Sequence, residues 1–137
     1  MSTSEFEILQ PKGWVSPQGY ANGIAAEGRV VFIAGQIGWD AGARMVGDDI
    51  VAQTEQALKN IVAVLAEAGG KPEHLTRLTW YINDRAAYVA RRREIGAAYR
   101  HVIGKHFPAM SLLVVAGLLE DDAQVEIEAT AVVPHSL

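Results

Sequence analysis

The chain has 137 residues, half of them hydrophobic, with 12 basic and 16 acidic side chains and a formal net charge of −4. This length is typical of one domain with one hydrophobic core, so we predict a single domain over residues 1–137. The acidic balance argues against a nucleic-acid-binding protein, because binding to phosphates needs a basic surface. The absence of cysteine excludes disulfides, thiolate chemistry and cysteine-ligated metals.

Residues 1–10 have neither a basic start nor an apolar stretch, so they do not predict a secretory signal. No apolar run approaches the length that spans a membrane. We therefore expect a cytoplasmic protein. An apolar composition in so short a chain also favours self-association, since soluble monomers rarely expose large apolar patches.

The first elements in chain order are strands. A strand is expected over residues 6–9, followed by a hairpin over residues 20–35 whose turn is Glu27-Gly28. A glycine-containing loop over residues 35–47 then carries an exposed aromatic side chain, Trp39.

Residues 48–68 have the period of an amphipathic helix. Asp48 and Asp49 favour its amino terminus, and Gly69-Gly70 ends it. Its polar side is predicted to carry Gln53, Gln56, Lys59 and Glu67. Its inner side is predicted to carry Ile50, Thr54, Ala57, Leu58, Ile61 and Leu65.

The second half of the chain changes between the alternating pattern of strands and the period of helices. Residues 75–83 predict a strand with Leu78, Trp80 and Ile82 on one face. Residues 85–103 predict one continuous helix capped by Asp84. A pair of strands follows over residues 111–116 and 124–133, joined by a polar turn at residues 120–122.

The order β-β-α-β-α-β-β predicts an α+β fold, a single sheet with both helices packed on one face. The last strand indicates what covers the other face. Val125, Ile127, Ala129 and Ala131 are expected under the helices, with Glu126, Glu128 and Thr130 opposite. A face of carboxylates and small groups suits a solvated or intersubunit cleft around a symmetry axis.

Several side chains are candidates for chemistry. Glu126 and Glu128 lie on the same face of the strand. Either one of them acts as a general base, or both simply solvate the strand. Tyr20, Trp39 and Trp80 are candidate pocket walls, although Trp80 fits a hydrophobic core equally well. The four histidines have no metal-ligand spacing, so no metal site is expected.

Residues 91–93 are three consecutive arginines. A run of this kind predicts a solvated helix face more than a binding patch. Arg92 alone is expected to turn its aliphatic stem towards the core.

Five stretches together resemble the Rid/YjgF family, imine and enamine deaminases also known as endoribonuclease L-PSP proteins. The resemblance covers the chain from about residue 19 to residue 133, in the family's order and spacing. The stretches are GYANG at 19–23, VFIAGQI at 31–37, the helix at 53–69, FPAMS at 107–111 and VEIEATAV at 125–132.

This resemblance implies a chorismate-mutase-like fold and a homotrimer with small-molecule sites at the subunit interfaces, no cofactor, no nucleic acid and no membrane. It assigns catalytic roles to Glu126, which positions a water molecule, and Tyr20. It assigns substrate binding to the strand end at Ala34 and Gly35 and to the segment around Met110 and Ser111, beside the pocket candidates Trp39 and Trp80.

One position departs from the family pattern. Deaminating members have Pro-Ala-Arg-Ser where this chain has Pro108-Ala109-Met110-Ser111. The arginine binds the substrate carboxylate through a two-donor fork, and methionine has no such donor. The resemblance therefore predicts a subgroup with a more apolar pocket, whose substrate lacks a small α-carboxylate or is held by another group such as Arg44.

The sequence leaves three candidate functions. The first is hydrolysis of an imine or enamine metabolite other than the small imino acids. The alternative is a non-catalytic trimer that binds or senses a metabolite, which the Met110 replacement favours. The third, an endoribonuclease, is disfavoured by the net acidity of the chain.

Overall fold

The computed structural model describes residues 6–135, so the first five and last two residues of the predicted domain lie outside it. Within the described residues no helix is long and apolar enough to cross a membrane. A short 3-10 turn, Pro72–His74, precedes the fourth strand. The other elements, in chain order, are β1 (Glu7–Leu9), β2 (Gly23–Ala25), β3 (Arg29–Gln36), α1 (Ile50–Glu67), β4 (Leu75–Ile82), α2 (Arg85–Ala90), α3 (Arg92–Val102), β5 (Ala109–Val114) and β6 (Val125–Val133).

Strands β3 to β6 form one mixed sheet in the spatial order β3-β6-β4-β5. Strands β4 and β5 are parallel, and the other pairs are antiparallel. Helix α1 packs on β3 and β6, and α3 packs beside α1. The predicted α+β architecture, with the helices on one face of the sheet, is confirmed.

The alternation of β6 is as predicted. Its residues 125, 127, 129 and 131 are buried beneath the helices, whereas Glu126, Glu128 and Thr130 are partly exposed. β4 alternates in the same register, because Trp80 lies opposite Ile127 and Tyr81 lies opposite Glu126. The sheet therefore has an apolar face under the helices and a polar open face.

Two predicted strand pairings are wrong. β2 pairs with β1 in a separate two-stranded sheet rather than with β3, which pairs with β6. Gly28 does not close a hairpin: it lies against the end of β6, where a Cβ would come within 2.3 Å of the Val133 carbonyl oxygen. Similarly, β5 and β6 are not neighbours, because β4 lies between them.

The predicted continuous helix over residues 85–103 is interrupted at Arg91. Asp84 caps α2 as expected, accepting a hydrogen bond from the Ala87 amide at 3.0 Å. The Arg91 backbone leaves the helical region at ψ 18°, and its guanidinium group binds Glu94 at 2.7 Å and Asp49 at 2.8 Å. Asp49 caps α1, so this one arginine joins the starts of α1 and α3. The hydrogen bonds to the Ala52 amide and to Arg91 lower the pKa of Asp49.

The prediction that Gln53 lies on the polar side of α1 is wrong. Its side chain is 0% exposed. Its side-chain N–H group donates to the carbonyl oxygens of Gly47 at 2.8 Å and Asp122 at 2.9 Å. Its side-chain oxygen accepts a hydrogen bond from the backbone amide of Gln124 at 2.8 Å. Gln53 thus links the loop before α1 to the start of β6, because its side chain forms hydrogen bonds with backbone groups that lie outside the helices and strands.

We expect Gln53→Leu to lower the free energy of unfolding by about 1–3 kcal/mol, because three backbone groups lose a partner that leucine cannot replace. Urea denaturation at fixed protein concentration measures this. Gln56→Leu is the matched control, since Gln56 is only partly buried and bonds to one side chain, Asn60. Equal losses in the two variants would contradict the assignment.

Candidate functional site

A cavity of about 450 Å³ lies at the outer edge of the sheet, where β5 is the edge strand. Its walls come from β4, β5, α2, α3, the segment before β5 and the segment before β2. Four of the predicted site residues line it: Tyr20, Trp80, Met110 and Ser111. The other residues that line it are Gln18, Gly19, Tyr88, Arg92, Ile95, Gly96, Tyr99, Arg100, Phe107 and Leu112.

Backbone pairing brings Tyr20 to this cavity. The Ala21 amide donates to the Pro108 carbonyl oxygen at 3.0 Å, and Ala21 forms a parallel bridge with Ala109. Tyr20 therefore lies at the start of β5, with 42% of its surface exposed. Met110 lies opposite Leu78, so it shares the helix side of the sheet with the core.

The helical wall was missed by sequence reasoning. Tyr88, Arg92, Gly96 and Arg100 are spaced four residues apart and line the cavity together. Burial raises the pKa of the Tyr88 hydroxyl, which keeps that group neutral and able to donate a hydrogen bond. The helical period had marked Tyr88 and Arg92 as inward-facing, but not which part of the sheet they face.

Trp80 belongs to both the core and the cavity wall. It is 5% exposed, and its ring centroid lies 6.3 Å from that of Tyr99. Its indole Nε1–H is buried and has no acceptor within residues 6–135. A buried donor without a partner is costly, so this N–H weakens the packing of Trp80 in the core.

The second set of predicted residues lies on the open face. β3 has a bulge between Ile33, which pairs with Ala129, and Gln36, which pairs with Ile127. One extra residue, at Ala34-Gly35, is accommodated there. A Cβ on Gly35 would lie 2.0 Å from Glu126 Oε2, so the carboxylate of Glu126 occupies the space that the glycine leaves free.

Glu128 has a different environment from Glu126. Its carboxylate accepts a short hydrogen bond from the Tyr81 hydroxyl. This bond raises the pKa of Tyr81, because it favours the neutral phenol. Glu128 also borders a shallow cavity of about 480 Å³ on the open face, together with Phe32, Ile33, Ala34, Arg77, Thr79, Ala129 and Thr130.

One chain does not bring the two sets together. Met110 and Trp80 lie on the helix face near β5, whereas Gly35 and Glu126 lie on the open face near β3. β3 and β5 are opposite edges of the sheet and about 14 Å apart, since neighbouring strands are spaced by ~4.8 Å.

Trp39 and Arg44 do not line the Tyr20 cavity. They lie in a small turn in which Trp39 bridges to Met45 and the Asp40 amide donates to the Arg44 carbonyl oxygen at 2.9 Å. The Trp39 carbonyl oxygen accepts from Asn60 at 2.9 Å. Within residues 6–135, no group of three or more His, Asp or Glu side chains is placed to hold a metal ion.

Comparison with known proteins shows the family and the fold of the chain. The family model described as endoribonuclease L-PSP matches residues 14–133. The chain belongs to this family. Its L-PSP fold is shared by a Rid-family protein of unknown function from Yersinia pestis, YyfB, with a TM-score of 0.79, 33% identity and coverage of 93% of this chain and 98% of that one. The chorismate-mutase-like α+β fold and the Rid/YjgF resemblance are therefore confirmed.

Similar curated proteins include an enzyme and a protein named after the RutC family. The 2-iminobutanoate/2-iminopropanoate deaminase of Salmonella typhimurium is 33% identical over 116 residues, 82% of this chain and 86% of that protein. A RutC family protein from Pyrococcus horikoshii is 37% identical over 127 residues, 91% of this chain and 96% of that protein.

We expect the Tyr81–Glu128 bond to stabilise the fold at neutral pH and to be lost in strong alkali. The folded pKa of Tyr81 is raised above its ordinary value of 10.0, so the stabilisation is complete below that pH and disappears as the pH rises through the raised value. Urea denaturation of wild type and Tyr81→Phe from pH 7 to pH 11 tests this. A stability difference that stays constant to pH 11 would contradict it.

Proposed function

We propose that this protein hydrolyses an imine or enamine metabolite in a cleft formed between two of its subunits. The observation that carries the proposal is the Glu126 carboxylate held over Gly35 at the β3 bulge. A carboxylate in that position can orient a water molecule beside exposed backbone. The relative named 2-iminobutanoate/2-iminopropanoate deaminase supports the same chemistry.

The geometry requires a second subunit. Tyr20 and Met110 are at the β5 edge of the sheet, whereas Gly35 is on the β3 edge strand and Glu126 is on the adjacent strand β6. The two pairs lie on opposite faces, so a complete site needs the β5 edge of one copy beside the open face of the next. Both edges expose apolar side chains, with Phe32 of β3 at 79% and Val114 of β5 at 53%. Such edges favour association. We propose that the contact closes into a homotrimer, because a contact between unlike surfaces can close into a ring and the family resemblance implies three subunits.

The proposed reaction needs no cofactor. Glu126 accepts a proton from water while the oxygen adds to the imine carbon. The same proton then passes to the nitrogen, which gives a carbinolamine. Its hydroxyl proton is transferred to the amine as the carbon–nitrogen bond breaks, which leaves a carbonyl compound and ammonia. Tyr20 forms the pocket wall beside the reacting carbon. The substrate binds against Met110 and Trp80 of one subunit, with Ala34, Gly35 and Glu126 supplied by its neighbour and Ser111 between the two surfaces.

A metabolite-binding protein without catalysis is the second candidate. It is favoured by Met110, which stands where deaminating members have an arginine for the substrate carboxylate. An endoribonuclease function finds less support, because the chain is net acidic.

We expect Glu126→Gln to lower kcat/KM for imine hydrolysis at least about 100-fold, because the amide cannot take the proton from water. Imines generated in situ by an amino-acid oxidase, and followed as they decay, provide the assay. Glu128→Gln is the matched control: its amide oxygen still accepts the Tyr81 hydrogen bond, so the rate should stay within about threefold. Gly35→Ala should resemble Glu126→Gln, because its methyl group displaces only the end of the Glu126 side chain. Equal losses in the two glutamate variants would contradict the assignment of the base.

We expect Met110→Arg to raise kcat/KM for 2-iminopropanoate at least about tenfold, because a two-donor carboxylate contact is added beside the reacting carbon. The same decay assay measures the change, with Met110→Lys as the control for charge without the fork. Activity only in Met110→Arg would favour the binding protein over the enzyme. An unchanged rate with high wild-type activity would show that the arginine is dispensable.

A further inference from the structure

Two arginines of α3 line the Tyr20 cavity, although β5 offers no basic residue there. Arg92 and Arg100 are both wall residues. The ion pairs formed within residues 6–135 involve Arg44, Lys59 and Arg91, and neither wall arginine has a carboxylate partner in that part of the chain. Both guanidinium groups therefore remain available to an anion.

Gly96 lies between the two arginines and is also part of the wall. Residues 92, 96 and 100 are each four apart, so they lie on one face of the helix. A Cβ on Gly96 would be 3.4 Å from Nη1 of Arg100, which shows that this guanidinium group folds back along the helix towards the glycine. The helix backbone at Gly96 therefore forms the floor of a gap, with a guanidinium group on either side of it.

Apart from Gln18 and Ser111, the rest of the cavity is mainly aromatic and apolar. Tyr99 and Phe107 stack with ring centroids 5.4 Å apart, and Trp80, Met110 and Tyr20 are also wall residues. The volume, about 450 Å³, falls in the range of cavities that hold a small organic molecule. Flat apolar ligands suit these rings, and methionine adapts to their shape.

We propose that Arg92 and Arg100 form the anion-binding site of this protein, and that its ligands are carboxylates with a bulky aromatic body. This inference rests on the proposed function for the reaction and specifies its substrate class, the 2-imino acids of large aromatic amino acids. The ring lies among Tyr99, Phe107 and Met110, and the carboxylate lies over Gly96. Arginine suits this role, because its planar fork matches a carboxylate.

The test is the binding of 3-phenylpropanoate, measured by titration calorimetry with the full-length protein. Wild type binds it, and Arg92→Gln/Arg100→Gln binds it at least about tenfold more weakly, because both charged donors are lost. Arg85→Gln/Arg93→Gln is the matched control. These exposed arginines lie outside the cavity and the variant carries the same charge change, so the affinity stays within about twofold. The neutral 3-phenylpropanamide binds wild type as weakly as the carboxylate binds the α3 double variant.

Three results would overturn the inference: equal losses in the two double variants, equal affinity for the amide and the carboxylate, or no binding of either compound to wild type. Thermal unfolding of each variant separates loss of binding from loss of folding. Imine hydrolysis with unchanged specificity in Arg92→Gln/Arg100→Gln refutes this inference and leaves the proposed function intact. Binding through the two arginines without hydrolysis of any imine refutes the proposed function alone.

Discussion

The alternation of side chains along most of the paired strands β4 and β6 determines which residues lie on each face of the sheet. One set of alternate residues, including Leu78, Trp80 and Ile127, is buried under α1 and α3. The other set, including Tyr81 and Glu126, must then face away from the helices. That alternation separates the aromatic cavity from the carboxylate of the proposed site, and in the function that we propose a second copy of the chain brings the two surfaces together.

Local periodicity predicted much of this fold. Predictions that depend only on residues close together in sequence are confirmed. They are the inward residues of β6, the helix at Ile50–Glu67 and the Asp84 cap. The errors concern contacts between distant parts of the chain. The pairing of β2 with β1, the parallel pairing of β4 with β5 and the burial of Gln53 depend on segments far apart in sequence, which no local period reveals.

The candidate site, like the fold, was predicted only in part. The family resemblance singled out Tyr20, Gly35, Glu126 and Met110, and the structure explains their separation into two surfaces. The resemblance did not indicate Arg92 and Arg100, which lie outside the stretches that carry the resemblance. Gly96 is the signal that was available: between two arginines at helical spacing, it leaves space where a side chain would otherwise lie.

Complementation between inactive subunits tests the shared site most directly. Tyr20→Ala and Glu126→Gln chains, each expected to be inactive in imine hydrolysis, are unfolded together, refolded as a mixture and assayed. Random assembly gives a wild-type Tyr20 surface opposite a wild-type Glu126 surface at about one interface in four, so activity returns to about a quarter of the wild-type value. A mixture that stays as inactive as either variant alone would place both surfaces in one chain and contradict the account.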